Sequence, residues 1–258
     1  MAAIIPIPAF ADNYIWLLRH DGNAAVVDPG DAAPVLACLE QNGLNLTAIL
    51  NTHHHNDHVG GNRALLAHCS VPVFGPAGER IPGLTHALRE GDAIDVPGTG
   101  VSLSVLDVPG HTAGHIAYVG QNEGVPVAFV GDTLFACGCG RLFEGTAEQM
   151  WTSLGKLAAL PDETRVYCAH EYTLANLRFA AAVEPDSDAV RERTSRESAR
   201  RARGEPTVPA RLADERLTNP FLRAADPDVM ERAAARAGHR VNDPAESFAV
   251  LRAWKDRF

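Results

Sequence analysis

The sequence predicts a layered α/β or α+β domain followed by a helical segment, and three observations carry that prediction. Short apolar runs of strand character alternate with helical patterns up to about Tyr172. Beyond Tyr172 no convincing strand follows, and Ala, Arg and Glu dominate. The chain has 258 residues, 46% apolar and 21% charged, which suits one large globular domain or one with a smaller partner. The expected division is 1–171 and 172–258.

Each element has a local reason. Tyr14 to His20 and Ala24 to Asp28 flank Asp21-Gly22-Asn23, a hairpin signal. Asp31 to Asn42 and Val59 to Cys69 have helical patterns, and between them Asn45 to Thr52 reads as a strand ending in a histidine-rich loop. Val101, Leu103 and Val105 alternate with Ser102 and Ser104, the period of a half-buried strand. Val125 to Val130 and Arg165 to Cys168 are short apolar runs of buried-strand type. Thr146 and Gln149 form a capping box ahead of Met150, Leu154 and Leu157, which share one helical face. Asp188 to Arg203 reads as a solvated helix, with Glu192/Arg196 and Glu197/Arg201 at i,i+4 spacing. Asp243-Pro244-Ala245-Glu246 supplies the N-cap, N1 proline and N3 acid of a last helix running towards Arg257.

Composition excludes several classes. A net charge of −9 argues against nucleic-acid binding. No apolar run approaches the ~20 residues needed to span a bilayer. The opening MAAIIPIPAFADNY lacks the basic and long apolar regions of a secretory signal. Five cysteines, an odd number without repeated CxxC spacing, suggest reduced thiols and a cytoplasmic setting. Cys137 and Cys139 read as packing residues among glycines.

The informative stretch is Thr52-His53-His54-His55-Asn56-Asp57-His58, with four of the eleven histidines in six positions. Burying imidazoles without partners costs about 1–3 kcal/mol apiece, so the cluster reads as a specified site. In an extended segment His53 and His55 share a face and His54 points away, while the turn that follows presents Asp57 and His58 in another direction. That suits two neighbouring ions, and imidazoles with carboxylate but no thiolate favour Zn²⁺, Fe²⁺ or Mn²⁺. Three further patches end strands: His111 to His115, Asp132 in Val130-Gly131-Asp132-Thr133, and His170 in Cys168-Ala169-His170-Glu171.

THHHNDH resembles the T-H-x-H-x-D-H signature of the metallo-β-lactamase superfamily, with His111, Asp132 and His170 following in order. More narrowly, GDTLFACGCGRLFEGT (131–146), CAHEYTLANLRFA (168–180) and the ending LRAWKDRF (251–258) resemble glyoxalase II, the hydroxyacylglutathione hydrolases. The resemblance implies a four-layer αββα sandwich followed by a smaller helical domain that contributes to glutathione binding. It also implies two divalent metal ions, zinc first among the candidates. His53, His55 and His111 would hold one ion, Asp57, His58 and His170 the other, and Asp132 both. His54, His115 and Asp28 are left as supporting residues.

The chemistry implied is attack of a metal-activated water on a thioester, with Asp57 and Asp132 as catalytic residues and no Ser or Cys nucleophile. The implied substrate is S-D-lactoylglutathione, cleaved to D-lactate and glutathione in methylglyoxal detoxification. Arg252 and Lys255, at i,i+3 on the last helix, can meet one carboxylate together, and the resemblance assigns them the glycyl end of glutathione. Arg141, Phe143 and Tyr172 match further substrate-contacting positions, although Phe143 stands where some relatives carry a Tyr hydroxyl. A monomer is expected. The runner-up is an oxidoreductase resembling the superfamily's single-iron persulfide dioxygenases, which lack a complete second metal set. A structural metal module would need a closed four-ligand site.

Overall fold

The computed structural model describes residues 2–258. The chain divides into two compact units: Met1–Asp107, Thr112–Gly131 and Tyr167–His170 form the first, and Val108–His111, Asp132–Val166 and Glu171–Phe258 the second.

The first unit begins with β1 (Ala3–Ala9), β2 (Asn13–His20) and β3 (Asn23–Val27). The β2–β3 hairpin forms as the turn chemistry predicts, with His20 opposite Asn23, and Asp21 takes the left-handed φ of 49°. Next come α1 (Ala32–Asn42), β4 (Asn45–Leu50), α2 (Asn56–Val59), α3 (Asn62–His68), β5 (Val73–Pro76) and β6 (His86–Leu88). Asp31 caps α1 and accepts from Ala33 N, and Gly43 closes it at φ 61°. These strands form one sheet in the order β1-β2-β3-β4-β5-β6, antiparallel at its start and parallel from β3 onward. Val35 and Leu39 of α1 and Leu65 of α3 pack with Ile15, Leu17, Val26 and Ile49 in one apolar cluster, so the helices cover one face of the sheet.

The expected single helix from Val59 to Cys69 is instead two, α2 and α3, interrupted at Gly60-Gly61. A Cβ at Gly60 would lie 2.7 Å from the Gly30 carbonyl oxygen, and one at Gly61 2.5 Å from that of Pro29. The break therefore lets this segment press against the β3–α1 turn.

The unit continues with β7 (Ala93–Val96), β8 (Val101–Asp107), β9 (Ile116–Asn122) and β10 (Val125–Gly131), an antiparallel meander. Along β8, Val101, Leu103 and Val105 are buried and Ser102 and Ser104 exposed, as the alternation predicts. Trp16 of β2 stands edge-on to Tyr167 at 4.9 Å, and Tyr167 stacks on Phe129 of β10 at 5.0 Å. This aromatic column joins the inner faces of the two sheets.

The second unit holds β11 (Leu134–Phe135), β12 (Gly138–Cys139), α4 (Ala147–Ala158), the start of β13 (Arg165–Cys168), α5 (Thr173–Val183), α6 (Asp188–Ala202), β14 (Ala210–Arg211), α7 (Leu212–Thr218), α8 (Pro227–Ala237) and α9 (Pro244–Lys255). The capping box on α4 is formed in both directions, and Met150, Leu154 and Leu157 are buried. Asp243 caps α9 and accepts from Glu246 N.

Two expectations are corrected here. A strand does follow Tyr172: β14 pairs Ala210 with Val166 and Arg211 with Arg165. Two residues are too short to leave a period in the sequence. The helix α6 is not solvated all round, since Arg193 and Glu197 are buried. Arg193 donates to Glu215 of α7 and to Thr218 Oγ1, and Glu215 also accepts from Cys137 N at 2.7 Å. The intrahelical i,i+4 pairs give way to Arg196–Asp214 at 3.0 Å and Arg201–Glu171 at 3.7 Å.

Cys137 and Cys139 are buried free thiols in the second unit. Burial pushes the Cys137 thiol up to about 12 and the Cys139 thiol up to about 11. No helix among the described residues is long and apolar enough to cross a membrane.

Candidate active site

The first unit gathers imidazoles and carboxylates where strands end. Beyond β4, His53 Nε2 lies 3.1 Å from His55 Nδ1, and His53 Nδ1 lies 3.1 Å from Thr52 Oγ1. His54 points away, as predicted, with its Nδ1 3.0 Å from Glu79 Oε2. His53 also stacks on His115 at 4.6 Å and stands 4.0 Å from the ring of His58.

Asp57, His58 and His170 form one such grouping, with one potential ligand atom from each within 4.8 Å of the others. His58 Nε2 lies 3.6 Å and His170 Nε2 3.5 Å from the same oxygen, Asp57 Oδ2. Behind each ring stands a second carboxylate. His58 Nδ1 faces Asp28 Oδ2 at 3.1 Å, and His170 Nδ1 faces Asp12 Oδ1 at 2.8 Å. A proton on Nδ1 held by a carboxylate leaves the Nε2 lone pair inward, the tautomer a metal ligand needs. Two imidazole nitrogens and a carboxylate oxygen with no thiolate therefore fit a divalent ion of the zinc, iron or manganese type.

Asp28 is fixed in turn. Its Oδ1 accepts from Thr52 N and its Oδ2 from Thr52 Oγ1, both at 2.8 Å, and its own φ is 54°. Gly30, two residues on, packs so closely that a Cβ there would run into the Asp57 carbonyl.

In the second unit, His111 Nε2 lies 3.3 Å from Asp132 Oδ2, while His111 Nδ1 bonds the Arg141 carbonyl at 2.9 Å. As at His58 and His170, Nδ1 is turned to an oxygen acceptor and Nε2 towards a carboxylate. Phe143 is 62% exposed and edge-on to His111 at 5.2 Å. Tyr172, partly exposed, stands edge-on to Phe135 at 5.3 Å.

The cations of the last helix do not share one partner. Arg252 is buried, donating to the Cys139 carbonyl and to Asp256 Oδ1, both at 2.9 Å. Lys255 is half-buried, 3.1 Å from the Ala175 carbonyl and 5.4 Å from the Phe179 ring centre. Burial first, and then the charges of Arg252, Arg178 and Arg141, push the Lys255 ammonium below its ordinary 10.5. Asp256 answers part of that charge, and Arg141 Nε lies 3.9 Å from it.

Sequence reasoning missed Asp12, Asn13, Glu79 and Arg178. Asn13 Nδ2 donates to Asp57 Oδ2 at 3.1 Å. Glu79 joins His54 to the next loop by accepting from Thr112 Oγ1 and Gly114 N. Lone polar residues, whether in a turn, at a strand end or on a helix, leave no signal. Only the adjacency of Asp12 and Asn13 at the end of an apolar run hinted at a role.

Comparison with known proteins identifies the family and the fold. A family profile described as the metallo-beta-lactamase superfamily matches residues 10–170, and one described as the hydroxyacylglutathione hydrolase C-terminus matches 171–258. A protein of Alkalilimnicola ehrlichii named hydroxyacylglutathione hydrolase is 61% identical over 259 residues, covering 100% of both chains. The crystal structure of ETHE1 from Myxococcus xanthus matches at TM-score 0.66 with 24% identity, over 99% of this chain and 98% of that one, and shows the shared fold. TTHA1623, solved in a di-iron-bound form, matches at TM-score 0.54 with 31% identity, over 64% of this chain and 91% of that one. The chain has the metallo-β-lactamase fold with a helical C-terminal region, and it belongs to the hydroxyacylglutathione hydrolase family.

Proposed function

We propose that the chain hydrolyses 2-hydroxyacylglutathione thioesters, S-D-lactoylglutathione foremost, to the hydroxy acid and glutathione, as the second step of methylglyoxal detoxification. The observation that carries the reading is 61% identity over the full length to a protein named for this activity. The turning of His58 and His170 onto Asp57 Oδ2 supports it.

The proposed centre takes two divalent ions, zinc by preference, with iron and manganese admitted by the same donors. His53, His55 and His111 would hold one, Asp57, His58 and His170 the other, and Asp132 both. The relative solved with two irons supports the count. Bound there, the ions supply a water acidic enough to be deprotonated near neutral pH and a Lewis acid for the thioester carbonyl.

The chain's own residues do the rest. Asp57, its Oδ2 fixed by Asn13, orients the attacking water. Water oxygen adds to the carbonyl carbon, the C–S bond breaks, and glutathione leaves as thiolate. Sulfur donates little resonance to the carbonyl, so no protein nucleophile is needed. Arg141, Tyr172, Arg252 and Lys255 are proposed to hold the anionic tripeptide, with Lys255 supplying charge from the last helix. Phe143 contributes shape. Residues 1–171 would then be the catalytic domain and 172–258 the part that adds glutathione affinity. The setting is proposed to be cytoplasmic and the protein monomeric, with neither nucleic acid nor membrane as partner.

The test is turnover of S-D-lactoylglutathione by metal-loaded protein, with loss of metal-dependent turnover in Asp132→Ala. Absence of hydrolysis by protein holding both ions refutes the reading. One iron per chain with oxygen uptake points instead to the oxidoreductase class.

A further inference from the structure

We propose that the tip of the β1–β2 hairpin, through Asp12 and Asn13, is a positioning device for the second metal position alone. The inference rests on the two-ion reading above and goes beyond it by naming what presets one half of the centre.

Three turn residues, Phe10 to Asp12, join the strands, and Ala9 opposite Asn13 closes the ladder. From this tip, consecutive residues reach both ligands that are distant in sequence. Asp12 Oδ1 receives His170 Nδ1 at 2.8 Å, and Asn13 Nδ2 donates to Asp57 Oδ2 at 3.1 Å. The backbone does the same, as Tyr14 N bonds the Ala169 carbonyl at 2.7 Å and Asn13 bridges to His170. Asn13 and His170 are buried while the Asp12 and Asp57 carboxylates are partly exposed, so these contacts are shielded from water on one side.

Each contact has a defined effect on a ligand. The Asp12 carboxylate holds the proton on Nδ1 of His170 and so keeps the Nε2 lone pair facing Asp57. The Asn13 amide restrains the Asp57 carboxylate from rotating, because it donates to the same oxygen that both imidazoles face. The turn is also held in an unfavourable shape. Phe10 has φ 52° and is 59% exposed, so a bulky residue sits in left-handed backbone without the burial that would offset it. The partners that follow it dictate that conformation.

The first metal's residues are held by other means. His53 is tied to Thr52 and His55, and His111 to the Arg141 carbonyl, and these bonds come from outside the hairpin. The effect of the tip is therefore expected at one position and not at both.

The experiment measures zinc per chain, and its resistance to chelators of graded strength, in the wild type, Asp12→Ala, Asn13→Ala and Asp12→Asn. In both alanine variants one of the two ions weakens by about 10- to 100-fold, the usual effect of removing a ligand's hydrogen-bond partner, while the other is unchanged. Asp12→Asn keeps an Oδ1 acceptor for His170 and recovers most of the loss. The melting temperature of the metal-free protein stays at the wild-type value. Retention of both ions at wild-type affinity overturns the proposal. So does parallel loss of both ions with a lowered metal-free melting temperature, which is the signature of a merely structural turn. If Asp12→Ala does not fold, Asn13→Ala and Asp12→Asn decide the matter. A wild type holding a single ion defeats the two-ion reading itself, an outcome separate from failure of the variants.

Discussion

Lys255→Ala tests whether the last helix binds substrate. The side chain is half-buried, and burial first, then the charges of Arg252, Arg178 and Arg141, hold its ammonium below 10.5. The neighbouring arginines make a positive field that Asp256 only partly answers, and a substrate carboxylate would lower its energy. A hydrogen bond to a charged partner contributes ~1.5–3 kcal/mol, and the partial exposure of Lys255 places it at the lower end, about 1.5–2 kcal/mol. At 1.36 kcal/mol per factor of ten, KM rises roughly 10- to 30-fold. Because the contact is made equally in ground and transition states, kcat stays within about twofold. The sign of the pH effect follows from the lowered pKa. Binding is full while the ammonium is charged, and it is lost as pH rises through a value below 10.5. Lys255→Arg keeps its charge throughout and removes that alkaline rise in KM. Steady-state hydrolysis of an acyl-glutathione across a neutral to alkaline series measures both quantities. A KM in Lys255→Ala within twofold of wild type, or an alkaline rise that persists in Lys255→Arg, refutes the reasoning.

Two stability predictions stand apart from substrate. Arg193→Met leaves the Glu215 carboxylate, with 0% of its side chain exposed, beside no cation, and should cost about 3–5 kcal/mol. That corresponds to a melting temperature lower by on the order of 10 °C. Adding Glu215→Gln removes the stranded charge but keeps an acceptor for Cys137 N, and calorimetry should show most of the loss recovered. Gly30→Ala drives a Cβ into the backbone of Asp57 and should lower bound metal as well as the melting temperature. Full metal content at an unchanged melting temperature would show that the turn yields freely.

Much of the fold was legible because its signals are local. The capping box at Thr146, the alternation along Val101 to Val105 and the turn at Asp21-Gly22 each specify an element within a few residues. The metal cluster was legible because several imidazoles beside an aspartate at the end of an apolar strand are costly to bury without a shared partner. What stayed hidden depends on distance. Asp12 meets His170 across 158 positions, and Glu215 meets Arg193 across 22, and neither pairing leaves a period or motif. The charged face of α6 misled for the same reason. Charge spacing along a helix is visible in sequence, but the buried partner on another helix is not. The break at Gly60-Gly61 was missed because two glycines weaken a helix without saying what approaches them.

The two thiols packed at Cys137 and Cys139 carry a consequence for chemical resistance. With pKa values of about 12 and about 11 and no exposed surface to speak of, neither offers thiolate to an electrophile at neutral pH. These two positions of the second unit are therefore closed to alkylation and to mixed-disulfide formation while the chain stays folded. Labelling by iodoacetamide in the folded state should stop at the two half-buried positions, Cys38 and Cys69.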